Sequence, residues 1–375
     1  MQVVHIGRNS TRRLAEELGK HQIKHPMLVT GHDSFADCGA AGILQSVLSD
    51  CTPVPFADFT PNPMFDDAVC GAGVFREEQC DGIIAIGGGS AMDVGKSINA
   101  FQAHPGREAD VATGKAHISE SLVPLIAIPT TAGTGSEATQ FAAIYIDGKK
   151  YSLDSAALLP DVAILDSRHT DSLPADITAS TGFDALCHSI ESYWAKMATE
   201  ESCQYASIAI PLLIANVSKA VNDPDPDCRD KMLLAAHYGG KAINISRTTA
   251  PHALSYVITS EFNVPHGHAV ALTLGKFFEI NEIQAKKQRQ KKLISLMQEL
   301  YRLLGASSAS EAEKQWYKLM KECGLEFSLT KLDISEKQHI DLIVDSVNLQ
   351  RLANHPLTLE TFDLRQTLKI SKASN

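Results

Sequence analysis

The sequence predicts an α/β domain followed by an all-α domain, and three observations carry that expectation. Short apolar runs at residues 26–30, 82–86 and 123–128 alternate with helical stretches in the first half of the chain. Runs that are apolar throughout belong to strands buried on both faces, and their alternation with helices implies a parallel sheet. The pattern changes character near Asp166, and from about Leu173 onward it is helical almost throughout. A chain of 375 residues is also long enough for two separate cores. We therefore expect one domain over residues 1–170 and a second over residues 171–375.

Within the first domain the run at 82–86 leads into Gly87-Gly88-Gly89-Ser90-Ala91-Met92-Asp93-Val94-Gly95-Lys96, a glycine-rich turn that opens a helix. Glycines there let backbone N–H groups approach a pyrophosphate closely, and a helix N-terminus favours the anion. The run at 123–128 leads into Pro129-Thr130-Thr131-Ala132-Gly133-Thr134-Gly135-Ser136-Glu137, which adds four hydroxyls at the next strand end. Ligands of open α/β sheets bind outside the carboxyl ends of strands. Neither loop spells GxGxxG, because Met92 stands three residues past Gly89, and the Walker pattern is missing. A single glycine-rich turn is usually only a turn; two at successive strand ends favour a nucleotide site.

In the second domain, residues 229–245 and 280–304 read as helices, and Asn222-Asp223-Pro224-Asp225-Pro226-Asp227 as a turn between helices. The basic stretch 285–292 reads as a solvated helix face. The segment 181–194 has apolar residues at helical spacing, so Asp184 and His188, at i and i+4, share one face. Two further histidines follow in Ala250-Pro251-His252-Ala253-Leu254 and Val264-Pro265-His266-Gly267-His268. One carboxylate and three imidazoles suit a divalent transition metal such as Fe(II) or Zn(II). The bland alternative, an exposed Asp–His pair among ordinary histidines, loses weight beside the two loops.

Composition narrows the class. A net charge of −10 argues against nucleic acid as a partner, since phosphate backbones select basic faces. No apolar run has transmembrane length, and residues 1–19 lack the basic-then-apolar order of a signal peptide. Eight cysteines without a CxxC pair read as free thiols in a reducing cytoplasm. Cys187, between Asp184 and His188, reads as a small buried hydrophobe.

Taken in order, Pro61-Asn62-Pro63, Gly87-Gly88-Gly89-Ser90 with Asp93, the 129–137 loop, Gly182-Phe183-Asp184-Ala185-Leu186-Cys187-His188 and Pro265-His266-Gly267 resemble the iron-containing (group III) alcohol dehydrogenases over nearly the whole chain. The resemblance implies a dehydroquinate synthase-like fold, with an N-terminal dinucleotide-binding domain, a helical metal-binding domain, and a metal in the cleft between them. It implies Asp184, His188, His252 and His266 as ligands of Fe(II), with Zn(II) as the alternative. It places the cofactor pyrophosphate on Gly88, Gly89 and Ser90, with Gly31, Gly87 and Asp93 also in the cofactor site. Thr130, Thr131 and Thr134 would flank the cofactor, and Lys150 would contact it. The implied reaction passes hydride between a nicotinamide and a small aldehyde or alcohol, with the ion acting as Lewis acid on the substrate oxygen. A homodimer is expected.

Two departures from the family pattern are informative. Gly31 stands where NAD-preferring members often carry an acidic residue, and His32 and Ser34 could donate to a 2′-phosphate, which favours NADP(H) over NAD(H). Tyr256 stands where many members carry a further histidine. Proton handling at the site of His252 would then fall to Tyr256, to His268 or to water, while a packed aromatic is the plainer role for Tyr256. The segments 247–256, 264–272, 148–153 and 347–353 are similar to the branch of phosphonoacetaldehyde reductases, which form 2-hydroxyethylphosphonate. Arg247, on a helix leading to His252, is the candidate donor to a phosphonate; a helix-capping arginine is the alternative. A general short-chain alcohol or aldehyde dehydrogenase competes with this substrate. A dehydroquinate-synthase-like lyase competes with the reaction class.

Overall fold

Strands β4 (Gly82–Gly87) and β5 (Leu125–Pro129) are buried along their whole length, as runs without polar alternation require. They form the centre of a six-stranded parallel sheet in the computed structural model, which describes every residue except 32, 33, 61, 120, 335 and 369–375, and no side chain at 34 and 350. The other strands are β1 (Val3–Ile6), β2 (Pro26–Thr30), β3 (Val54–Phe56) and β8 (Val162–Leu165), in the order β1-β8-β5-β4-β2-β3. From β2 the chain steps outward to β3, returns to β4, and then builds in the opposite direction. The reversal lies between β2 and β4, whose register pairs Thr30 with Ile86. Gly31 and Gly87, at the carboxyl ends of these strands, therefore flank the topological switch point, where open α/β sheets bind their ligands.

The period of two along each strand sorts the core into two layers. Ile84, Ile86, Ile126 and Ile128 face one side, against Leu14 and Leu18 of α1 (Leu14–His21) and Leu44 of α2 (Ala40–Val47). Ile83, Ala85, Leu125 and Ala127 face the other, against Phe75 of α3 (Phe65–Glu77) and Met92 and Ile98 of α4 (Gly89–Gln102). The apolar run read from residue 123 becomes strand only at Leu125, one residue after Pro124. Strands β6 (Phe141–Ile146) and β7 (Lys149–Asp154) form a separate antiparallel hairpin that the sequence reading missed. Its turn is Asp147-Gly148, both at positive φ, a strong hairpin signal in hindsight.

Contacts divide the chain into Met1–Leu173 and Pro174–Asn375. The second unit is helical: α5 (Ala175–Trp194), α6 (Glu200–Asn222), α7 (Pro226–Ser246), α8 (Ala250–Phe262), α9 (His266–Lys287), α10 (Lys291–Leu303) and α11 (Ala309–Glu322), followed by shorter helices. Helix α5 packs against α6, α7 and α9. Asp225 caps α7 through Cys228 N at 2.8 Å, and Pro226 starts that helix, so the 222–227 segment is the turn expected.

The single helix expected over 280–304 is two helices. Arg289 takes φ 55° between α9 and α10, and Gln290 N donates to Ala285 O, a Schellman-type ending made without glycine. The basic stretch 285–292 is thus a corner rather than one helix face, and Ala285 is fully buried. Among the described residues no helix is long and apolar enough to cross a membrane.

One buried carboxylate fastens the first unit. Asp166, just past β8, accepts hydrogen bonds from Arg168 Nη2 at 2.7 Å, Arg168 Nε at 3.0 Å, Thr11 Oγ1 at 2.9 Å and the backbone N–H of Asn9 and Thr11. Burial alone would raise its pKa, but Arg168 and the Thr11 donors outweigh it and hold the carboxyl well below the usual range. A depressed folded-state pKa gives stability that is present above the ordinary value of 3.8 and is lost as pH falls from there toward the folded-state value. We expect Asp166→Ala to cost about 2 kcal/mol at pH 7, by loss of these charge-assisted bonds. In thermal melts of both proteins, the gap should narrow as pH drops below that value; a gap independent of pH would show that the carboxylate charge contributes nothing.

Candidate metal centre and glycine loops

Helix α5 carries Asp184, His188 and Glu191 at i, i+4 and i+7, one face of three successive turns. The carboxylate and the His188 ring meet there, with Nε2 3.7 Å from Asp184 Oδ1. His252, in the first turn of α8, brings its Nε2 to 3.6 Å from the same oxygen, and its ring stacks on that of His188 at 4.8 Å. His266 is the first residue of α9, and its ring lies 5.4 Å from His252. One ligand atom each from Asp184, His252 and His266 falls within 4.8 Å of the others. Asp184, His188 and His252 are buried; His266 is half-buried.

The sequence explains how three helices converge so tightly. A Cβ at Gly267 would lie 2.0 Å from Ser180 O and 2.7 Å from Asp184 Cβ, so only glycine lets the start of α9 touch the backbone of α5. Pro265 precedes this point in an extended conformation, and Pro251 occupies the first turn of α8.

The electrostatics are those of a cation site. Asp184 Oδ1 and His252 Nε2 are buried and, among the described residues, neither makes a hydrogen bond. Leaving such atoms unpaired is costly, and a divalent ion would satisfy both. Burial would raise the pKa of Asp184, but His188, His252 and His266 outweigh it and keep the carboxyl well below its usual range. Burial likewise opposes charge on His252, yet the carboxylates of Glu191 and Asp184 lift its pKa to about 9. A shell of one carboxylate oxygen and imidazole nitrogens fits Fe(II) or Zn(II). Cys187 is fully buried with its thiol pKa pushed well up by burial, as a packing residue would be.

Other residues singled out in the sequence fall in different places. The Tyr256 ring stacks on His266 at 6.2 Å. His268 lies outside the cluster: two residues beyond His266 in the same helix, it is buried with Nε2 bonded to Glu326 O. Arg247 is not on a helix leading to His252. It ends α7 at φ 61°, and its guanidinium donates to Asn244 O at 2.6 Å, a helix-capping contact. Glu191 was overlooked: its place seven residues after Asp184 puts it on the same helix face, but the partners that define it lie far along the chain at Thr249 and His252. It is fully buried and accepts hydrogen bonds from His252 Nδ1 and, at 2.6 and 2.8 Å, from Thr249 N and Oγ1.

In the first unit the two loops interlock. Gly88 caps α4 in extended conformation. A Cβ at Gly88 would meet Thr131 Cγ2 at 3.3 Å, and one at Gly89 would meet Thr134 Cγ2 at 2.8 Å. Thr130 N donates to Gly87 O at 2.9 Å, and the buried Thr130 hydroxyl has no hydrogen-bond partner among the described residues. Ser90 sits in the first turn of α4, and Lys150 on β7. Asp93 accepts from Ser136 Oγ of the second loop at 2.8 Å and from Ala143 N of β6 at 3.0 Å. His32, Asp33 and Pro61, and the side chain of Ser34, lie outside the described residues.

Lys96, which no motif had singled out, is fully buried under the second loop. Its ammonium reaches Ser136 O at 2.6 Å, Thr139 O at 2.8 Å, Phe141 O at 3.0 Å, and the hydroxyls of Ser136 and Thr139 at 3.1 Å. Burial pulls its pKa down to about 8, so it remains charged at neutral pH.

Residues 2–167 match the family described as iron-containing alcohol dehydrogenase, and residues 178–373 match the C-terminal domain of the Fe-containing alcohol dehydrogenase family. The chain belongs to the iron-containing alcohol dehydrogenases. It is 37% identical over 230 residues to the probable alcohol dehydrogenase EutG of Escherichia coli, a match spanning 60% of this chain and 58% of that protein. It is 30% identical over 308 residues to the phosphonoacetaldehyde reductase of Streptomyces viridochromogenes, covering 78% and 76% of the two chains. The crystal structure of sulfoacetaldehyde reductase from Bifidobacterium kashiwanohense, in complex with NAD+, superposes with a TM-score of 0.89 at 29% identity, covering 100% of this chain and 98% of that one.

Two substitutions test this geometry. Gly267→Ala should force α9 away from α5 and cut Zn(II) uptake at least roughly 10-fold, measured by competition with a chelating dye. Unchanged affinity would mean that the contact is not what holds the ligands together. Lys96→Met removes the ammonium shared by three backbone carbonyls and two hydroxyls, so a stability loss of about 2–4 kcal/mol is expected in denaturant unfolding. A loss under about 0.5 kcal/mol would show that the lysine is not the anchor of the second loop.

Proposed function

We propose that this protein is a metal-dependent alcohol dehydrogenase acting as an aldehyde reductase, with NADP(H) as the favoured cofactor and phosphonoacetaldehyde as the favoured substrate, reduced to 2-hydroxyethylphosphonate. The observation that carries the reaction class is the buried meeting of Asp184 Oδ1 and His252 Nε2, both without hydrogen bonds, beside His188 and His266. Held by these four residues, a divalent ion would supply Lewis acidity toward a carbonyl or alcohol oxygen. The chain's own contributions follow from its geometry. Asp184 offsets part of a dication's charge while the neutral imidazoles leave it electrophilic. Glycines 88 and 89 open a helix N-terminus to the cofactor pyrophosphate. Tyr256, stacked beside His266, carries a hydroxyl that suits proton handling.

The substrate reading draws on two likenesses. Phosphonoacetaldehyde and sulfoacetaldehyde, named for the two reductases, are both two-carbon aldehydes ending in a tetrahedral oxyanion. Arg247 is the proposed donor to that anion, and its positive φ is a strained conformation of the kind that gathers at functional sites. The likeness to EutG favours a second reading, reduction of an uncharged short-chain aldehyde. The NADP(H) preference rests on Gly31 beside Gly87 at the switch point, where no side-chain carboxylate at position 31 repels a 2′-phosphate. The sulfoacetaldehyde reductase structure holds NAD+, so both cofactors enter the test.

The decisive assay follows NADPH and NADH oxidation by anaerobically Fe(II)-loaded enzyme with phosphonoacetaldehyde and with propionaldehyde. We expect a higher kcat/KM for the phosphonate and for NADPH. Arg247→Ala should raise the phosphonate KM roughly 10- to 100-fold, the worth of a charge-assisted bond, and leave propionaldehyde unaffected. Equal or reversed rates would leave the uncharged-aldehyde reading, and turnover without net NAD(P)H consumption would point to a lyase. Asp184→Ala and His266→Ala should each abolish both metal content and activity. Near-full activity and metal in either variant would break the ligand assignment.

A further inference from the structure

Glu191 has no part in the chemistry above, yet its surroundings are built with care. Oε2 accepts from the backbone N–H of Thr249 at 2.6 Å and from its hydroxyl at 2.8 Å, while Oε1 takes the hydrogen bond to His252 Nδ1. The Thr249 hydroxyl in turn accepts from Trp194 Nε1 at 3.0 Å, which directs its own proton to Glu191. Thr249 lies in the short connection between α7 and α8, and Asn354 grips that connection: its Nδ2 donates to Ser246 O at 2.8 Å and to Thr248 O at 3.0 Å. Every one of these groups is buried.

We infer that Glu191 is a positioning residue for the metal centre, holding the Nδ1 proton of His252 so that Nε2 faces the ion as an acceptor, with Thr249 and Asn354 keeping the carboxylate and the connection in register. The inference rests on the reading of His252 as a metal ligand. A neutral imidazole has one donor and one acceptor nitrogen, and the partner of one decides the role of the other. Nε2 is the nitrogen that faces Asp184 Oδ1 at 3.6 Å without a hydrogen bond. An ionised carboxylate only accepts, so Glu191 can satisfy three donors at once and selects the tautomer protonated at Nδ1.

Glutamine at 191 would not be conservative. Its single amide oxygen can meet the Thr249 donors or His252 Nδ1, but not both. The Thr249 N–H cannot become an acceptor, so the oxygen turns there and the amide NH2 turns to His252. Nδ1 must then accept, and the imidazole proton moves to Nε2, where the ion would bind. Alanine leaves the tautomer free instead of inverting it, so the nearly isosteric replacement is the more damaging one.

The test is the equilibrium Zn(II) affinity of the metal-free protein, read by competition with a chelating fluorophore for wild type, Glu191→Gln, Glu191→Ala, Asn354→Ala and His252→Ala, with circular dichroism as the check on folding. We expect Glu191→Gln to weaken binding roughly 10- to 100-fold or more and at least as far as Glu191→Ala, with a smaller loss for Asn354→Ala. Glu191→Gln within about threefold of wild type, or milder than Glu191→Ala, while His252→Ala loses the metal, overturns the role of Glu191 and leaves the ligand assignment standing. Wild type and His252→Ala binding alike overturns both. If Glu191→Gln does not fold, long-range proton–nitrogen correlation of [15N]histidine-labelled, Zn(II)-loaded wild type decides. His252 protonated at Nδ1 supports the inference, and protonation at Nε2 overturns it.

Discussion

The near-contact of two helix backbones at Gly267 is the constraint on which the cluster of Asp184, His188, His252 and His266 depends. Asp184 and His188 are set by the pitch of one helix, but His266 arrives on another, and side chains of ordinary size would hold the axes 8–10 Å apart. Here the site that a Cβ would occupy is 2.0 Å from Ser180 O. At that separation His266, the residue immediately before the glycine, starts its helix within reach of Asp184. The neighbouring residues follow from the same demand. Pro265 fixes the extended entry to α9, and Asp184, directly under the glycine, is the carboxylate whose oxygen faces His252.

A second consequence is a concentration of buried charge. Asp184 and Glu191 lie on the same face of α5 with nearly no solvent, and such carboxylates persist only when paired and hydrogen-bonded. The structure treats them differently. Glu191 is supplied with three donors from α8 and the connection before it, whereas Asp184 keeps Oδ1 free of hydrogen bonds among imidazoles. One carboxylate is fully satisfied by protein and the other is kept available. That division separates two residues that look alike in a sequence.

Much of this was legible beforehand, for identifiable reasons. The buried strands β2, β4 and β5 announced themselves because both of their faces are covered, so no polar alternation blurs the runs. Asp184 and His188 were visible because a helix turns residue spacing directly into a shared face. The corner at Arg289 was hidden, since a non-glycine residue takes the positive φ and its neighbours are all good helix formers. Arg247 was misplaced for the same reason: a backbone turn at φ 61° carries no glycine to mark it. Glu191, Lys96 and Asn354 escaped because their partners lie far along the chain, at Thr249, Ser136 and Ser246. A buried polar residue is defined by what it meets, and a spacing rule reaches only partners on its own element.

The two units apply one physical device to different ends. In each, glycine allows a close approach that any side chain would prevent, and a buried ion secures a segment beside it. Gly267 admits α9 to α5, and Glu191 anchors the Thr249 connection that orients His252. Gly88 and Gly89 admit the threonine loop to the start of α4, and Lys96 anchors that loop from below through Ser136, Thr139 and Phe141. Glycine alone would bring the elements together loosely, because its backbone is the most permissive of all. The buried charge removes that freedom, since moving any of its partners leaves an ion unsatisfied in a medium without water. Close approach and rigid hold therefore have to occur together. A glycine-rich motif in this chain is better understood with the buried ion that faces it than as a string of small residues.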